Sequence, residues 1–139
     1  MHNIPTLGLD DAIRALKAVL DEANKDPGRP LVVSIVDHRG DLVCYARMDG
    51  ATFMPQHLAT KKAYTAARTR VDTKTWGNGL RERGGSIADF ADPMLVPFGG
   101  GVPIMNSDGV CVGGIGVSGR PVEEDSIAEL GAQTISGKR

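Results

Sequence analysis

The sequence predicts an α+β domain in layers, a central antiparallel sheet of about five strands with helices packed on it. Apolar, β-branched runs come in two pairs, each split by a short turn, and strands joined so closely run antiparallel. Stretches of helical periodicity lie before, between and after those pairs, where they can cover a face of the sheet. The 139 residues suffice for one hydrophobic core and are too few for two ordinary ones, so residues 1–139 read as a single domain.

The elements follow in order. Leu9, Ala12, Ile13, Leu16, Val19, Leu20 and Ala23 recur at the spacing of one helical face, with Asp10, Asp11, Arg14, Lys17 and Asp21 opposite. Asn24-Lys25-Asp26-Pro27-Gly28 breaks that helix. The run LVVSIVD (residues 31–37), the turn His38-Arg39-Gly40 and the run DLVCYARM (41–48) make the first hairpin. Pro55 suits the first turn of a helix reaching about Arg70, and a second helical piece spans residues 73–83, weakened by Gly77 and Gly79. A short helical turn, SIADFA, is closed by Asp92-Pro93, and residues 94–98 start another extended segment. The second hairpin fills residues 98–119, and a last helix spans residues 121–135 with Glu123, Glu124 and Asp125 in its first turn.

Composition excludes several classes of function. With net charge −1 and basic residues scattered along the chain, there is no footprint for nucleic acid or an anionic membrane surface. The N-terminus lacks the pattern of a signal peptide, and no apolar run is long enough to span a membrane, so the expectation is a soluble, cytoplasmic protein. Cys44 and Cys111 sit in strand-like runs and read as small buried hydrophobes rather than a disulfide or thiolate site. No H-x-x-x-H, C-x-x-C or G-x-S-x-G pattern supports a closed zinc site or a serine hydrolase.

Eight of the chain's 18 glycines fall in residues 98–119. Glycine weakens a strand, so this density calls for a left-handed backbone, a close second backbone or a ligand. Gly114-Ile115-Gly116-Val117-Ser118-Gly119 matches the dinucleotide fingerprint G-x-G-x-x-G. Only 20 residues follow it, too few for the helix and second parallel strand of a βαβ unit, and Glu123-Glu124-Asp125 would repel a phosphate there. Two readings remain open and compatible: a helix lying directly on the strand backbone, and a small-molecule pocket walled by Gly99, Gly100 and Gly101. The three acids read as compensation of a helix dipole.

On the helix after Pro55, Ala59, Ala63, Ala66 and Arg70 share one narrow face, while His57, Lys61, Tyr64 and Arg68 lie almost opposite. The alanines allow close approach to a sheet. The polar row then faces solvent, a neighbouring subunit or a ligand, and its imidazole, phenol and two cations suit an anion or a metal cofactor. His2 is terminal and His38 lies in a turn, which leaves His57 as the histidine to follow.

Four blocks, VVSIVDHRGDLVCYARMDGA (32–51), KKAYTAA (61–67), FGGGVPI (98–104) and GGIGVSG (113–119), closely resemble the GlcG/HbpS family of haem-binding and haem-degrading-like domains. They also resemble the C-terminal domain of cobalamin-related PduO proteins, and they cover nearly the whole chain in order. The resemblance implies a five-stranded antiparallel sheet with helices, assembly into a homo-oligomer, and a pocket for haem, a related tetrapyrrole or another small molecule. If haem is the ligand, the residues of this chain suggest His57 as the ligand to iron, Lys61 and Arg68 paired with propionates, and Met48, Met54 or Phe98 packed on the porphyrin. A second expectation is an enzyme of small-molecule catabolism, in which Arg47, Lys61 or Arg68 holds a substrate carboxylate and His57 acts as general acid or base. A third is a noncatalytic oligomeric accessory protein whose glycine-rich hairpin serves subunit packing.

Overall fold

In the computed structural model, which describes residues 1–137, the elements run α1 (Leu9–Asn24), β1 (Val32–Asp37), β2 (Leu42–Arg47), α2 (Phe53–Thr69), α3 (Thr73–Glu82), a 3-10 turn (Ile87–Phe90), β3 (Gly101–Met105), β4 (Cys111–Ser118) and α4 (Glu124–Ser136). The two hairpins lie side by side through β1 and β4, giving an antiparallel sheet in the order β2-β1-β4-β3. It has four strands where about five were expected. Residues 94–98 do not join it because their polar groups go to helices: Val96 N–H donates to Thr65 Oγ1 (3.0 Å), and Arg81 Nη1 donates to the Pro97 carbonyl (3.1 Å). Pro97 has no N–H to offer a ladder.

Alternation along the strands separates the faces. Val33 and Ile35 of β1 pair with Val117 and Ile115 of β4, and all four point into the main core beneath α1 and α4. On the opposite face, Ser34 and Val36 pair with Gly116 and Gly114, and α2 lies over them. Ala59, Ala63 and Ala66, the small face of α2, are fully buried there. A Cβ on Gly116 would fall on the Ala59 carbonyl oxygen and 2.6 Å from Ala63 N. One on Gly114 would fall on the Ala63 carbonyl oxygen and 3.0 Å from Ala67 N. These are backbone atoms and cannot swing aside. The first two glycines of the G-x-G-x-x-G pattern are therefore the imprint of a helix on a strand, as the first of the two readings held, while Gly119 packs against the Pro30 carbonyl and turns the chain with a positive φ.

The helix boundaries have local causes. Asp72 caps α3 by accepting from Thr75 N–H (2.9 Å), and α3 runs unbroken through both of its glycines. At Gly77 a side chain would strike the Pro97 backbone, so the glycine admits that loop instead of weakening the helix. The last helix begins at Glu124 rather than at Pro121, because the chain first turns at Gly119 (φ +122°). Behind that turn Arg120 is almost completely buried. Its guanidinium donates to the carbonyls of Ala23 (3.0 Å), Asp26 (3.2 Å) and Arg29 (2.6 Å), which places a cation at the negative end of α1.

Gly116→Ala is expected to lower the unfolding free energy by about 1–3 kcal/mol, the cost of overpacking a tight contact. Gly79→Ala, inside α3 where a Cβ meets only the flexible end of Arg83 (3.3 Å), serves as the control and should leave the stability unchanged or raise it by up to about 1 kcal/mol. Urea denaturation of the two variants gives the comparison, and equal midpoints would contradict the seam described here.

Candidate functional site

The phase of α2 that buries its alanines also turns Lys62 inward. Lysine is almost never fully buried unless paired, and Lys62, 3% exposed, is paired completely. Its ammonium donates to Glu124 Oε1 (3.0 Å), the Val117 carbonyl (3.2 Å) and Ser118 Oγ (3.3 Å). The other Glu124 oxygen accepts from Gly119 N–H (2.7 Å) and Arg120 N–H (3.0 Å). The pair ties the middle of α2 to the turn before α4, and losing either partner would strand a buried charge.

Above this ion pair lies a cavity of about 430 Å³. Lys62, Ser118 and Glu124 form its polar part, Pro30, Met54, Pro55 and Leu58 its apolar walls, and Arg29 stands at its rim. A second, open groove of about 460 Å³ runs along the outer side of α2, lined by Phe53, Met54, His57, Leu58 and Lys61. Met54 and Leu58 belong to both. Phe53 and Met54 are 80% and 70% exposed. The exposed His57 ring lies 6.0 Å from that of Phe53, and Lys61 follows one turn later.

The other expected site residues divide into separate groups. Tyr64 donates its hydroxyl to Asp92 Oδ2 (2.7 Å), with the Arg68 guanidinium 4.9 Å from the ring centre. Arg68 Nε donates to the Arg39 carbonyl (2.7 Å) and so ties α2 to the β1–β2 turn, where the Tyr64 ring lies against Gly40. Arg47 reaches Gln56 Oε1 (3.4 Å) on the flank of α2. Met48 faces inward, its sulfur accepting from Leu31 N–H (3.5 Å) and its side chain packed on the core. Gly100 N–H donates to Asp125 Oδ1 (2.8 Å) and Gly101 N–H to Thr73 Oγ1 (2.9 Å). Gly99, Gly100 and Gly101, like the exposed Phe98, line neither of the two cavities above.

Two of the first-turn acids do more than offset a dipole. Glu124 holds Lys62, and Asp125 closes the glycine loop. A further depression of about 510 Å³ brings together His2, His38, Arg70 and Cys111, which the spacing of the sequence gave no reason to join. His38 Nδ1 lies 2.7 Å from Thr6 Oγ1. Burial pushes the Cys111 thiol up, and the described residues contain no group of three His, Cys, Asp or Glu able to hold a metal ion.

Residues 7–133 match the family described as "Haem degrading protein HbpS-like". The chain belongs to this HbpS-like family. It is 35% identical over 129 residues to an uncharacterised 15.0 kDa protein in the dhaT-dhaS intergenic region of Citrobacter freundii, covering 91% of this chain and 89% of that protein. It is also 35% identical over 98 residues to the corrinoid adenosyltransferase PduO of Salmonella typhimurium, a match spanning 69% of this chain but only 29% of PduO. Among solved structures, the PduOC:heme complex superposes with a TM-score of 0.81 at 29% identity, covering 94% of this chain and 95% of that one. The fold is thus shared, over 94% of this chain, with a protein crystallised with haem.

Tyr64 provides a pH-dependent readout of the α2 clamp. Its hydrogen bond to Asp92, chiefly, together with burial pushes its pKa above the usual value, while the Arg68 charge pulls the other way. The neutral phenol is the stabilised form, so the contribution is complete below the ordinary value of about 10 and is lost as pH rises through the raised one. In a Tyr45→Phe background, ultraviolet titration of the remaining tyrosine should end higher than in free tyrosine. Asp92→Ala should bring it down, and an unchanged curve would contradict the bond.

Proposed function

We propose that this HbpS-like domain binds haem or a related tetrapyrrole in the open groove of α2. The reading is carried by one observation: Phe53 and Met54 stand out in solvent next to an exposed imidazole and, one turn on, an ammonium. Large apolar side chains grouped on a surface mark a binding face. The donor set fits the group, since His57 supplies a nitrogen for iron, Phe53, Met54 and Leu58 supply apolar contact, and Lys61 supplies a partner for a propionate. Arg68 suits that last role less well. It lies three turns beyond His57, about 16 Å along the helix at 1.5 Å per residue, and it already holds the Arg39 carbonyl.

Haem, when bound, brings a redox-active iron; the chain's own part is to hold the macrocycle and orient it through His57. Support also comes from the PduOC:heme complex, which has the same fold. An acid–base role for His57 on a carboxylated substrate has less support. Among the described residues no hydrogen bond orients the His57 ring for proton transfer, its recorded contact being the Phe53 ring.

Haemin titrated into the purified protein should shift the Soret band saturably. His57→Ala should abolish the shift, and Lys61→Met should weaken binding about two- to fivefold, as for a solvent-exposed ion pair. A wild-type protein that leaves the Soret band unmoved, or a His57→Ala variant that matches it, would overturn the proposal.

A further inference from the structure

The cavity above the Lys62–Glu124 pair is separate chemistry from the groove, and its donors point one way. Glu124, the acid in its lining, is occupied through both oxygens by Lys62, Gly119 N–H and Arg120 N–H, and its charge is offset by the Lys62 ammonium 3.0 Å away, so the pair brings no net negative charge to the cavity. Ser118 is 3% exposed and lines the cavity. Its oxygen accepts from Lys62, and among the described residues its hydroxyl proton has no acceptor. A buried hydroxyl proton without an acceptor is a donor in want of a ligand.

The surroundings favour negative charge. Thr52, Met54 and Pro55 at the start of α2 line the cavity, Thr52 gives the helix no side-chain cap, and no acidic residue stands in its first turn. The start of the helix thus carries no carboxylate of its own to offset its dipole. Arg29 adds a guanidinium at the rim, with its side chain in no ion pair among the described residues. The remaining wall is apolar: Pro30, Met54, Pro55 and Leu58. A fully hydrated phosphate finds too few donors here, whereas an anionic head on a hydrocarbon body matches both halves. The volume, about 430 Å³, lies in the usual range for small-molecule sites of about 300–1,000 Å³.

We infer that this cavity is a binding site for a short-chain carboxylate, its head on Ser118 and Arg29 and its body against Met54, Pro55 and Leu58. Met54 and Leu58 line both this cavity and the groove that holds His57, but Ser118 and Arg29 line only this one, so variants at those two residues separate the inference from haem binding.

Butyrate, butyramide and butylamine, titrated separately while the Met54 and Leu58 methyl resonances are followed by NMR, test it. Butyrate should give saturable shifts, and the neutral and cationic probes at equal concentration should not. Ser118→Ala should weaken butyrate binding about tenfold or more, the scale of a hydrogen bond to a charged group. Arg29→Gln, an exposed change that leaves the buried pair intact, should weaken it about two- to fivefold. Haemin titrations of both variants should match the wild type. Butyrate shifts that fail to saturate, an equal response to butyramide, or an Arg29→Gln variant that titrates like the wild type would each overturn the assignment.

Discussion

The close contact of α2 with β4 is the constraint on which the remaining structure depends. Gly114 and Gly116 lack side chains where the Ala59 and Ala63 carbonyls sit, so the helix rests on strand backbone. Glycine in a strand costs conformational entropy and presents no side chain to pack. Here that cost is offset by dispersion contacts between two backbones along two turns of helix. The contact also fixes the rotation of α2 about its axis. With Ala59, Ala63 and Ala66 inward, Lys62 enters the interior and His57 and Lys61 face out.

From that rotation the two cavities follow. The inward lysine needs a carboxylate, and α4 supplies Glu124 at the turn where β4 ends. The same carboxylate receives the N–H groups of Gly119 and Arg120, which sets the path of the chain behind the cavity. Arg120 then reaches the Ala23 carbonyl in the last turn of α1 and the Asp26 carbonyl just beyond it, and joins that helix to the same corner. The outward side of the first turns of α2 is left with Phe53, Met54 and His57 uncovered by any other element named here. Packing on one side of a single helix thus determines the chemistry offered on the other.

Much of this was legible in the sequence. The hydrophobic periodicities located every helix and both hairpins within a few residues, and the alanine stripe identified the buried face of α2. Glycine density announced a close approach, although not which backbone approached. The sheet has one strand fewer than the composition suggests: residues 94–98 look extended, whereas Val96 N–H and the Pro97 carbonyl bond to Thr65 and Arg81, which no local pattern reveals. The row of polar residues on α2 points to Lys61 and not to Lys62, although at 100° per residue Lys62 falls next to the alanine stripe. Its partner Glu124 is 62 residues away, and only the fold brings them together. Tyr64 and Arg68 share a helical face with His57, but the spacing does not show what holds them. They are held by Asp92 and by Arg39, partners from distant loops.

The central claim is that the seam on β4 leaves the outer groove of α2 as the haem-binding face. Ferric haem is paramagnetic, and amide resonances close to it broaden. In an amide NMR spectrum recorded with substoichiometric haemin, the account predicts selective loss of Phe53, Met54, His57, Leu58 and Lys61, with His2, His38 and Cys111 unaffected. Broadening centred on His2 and His38 instead, or spread evenly over the chain, would contradict it.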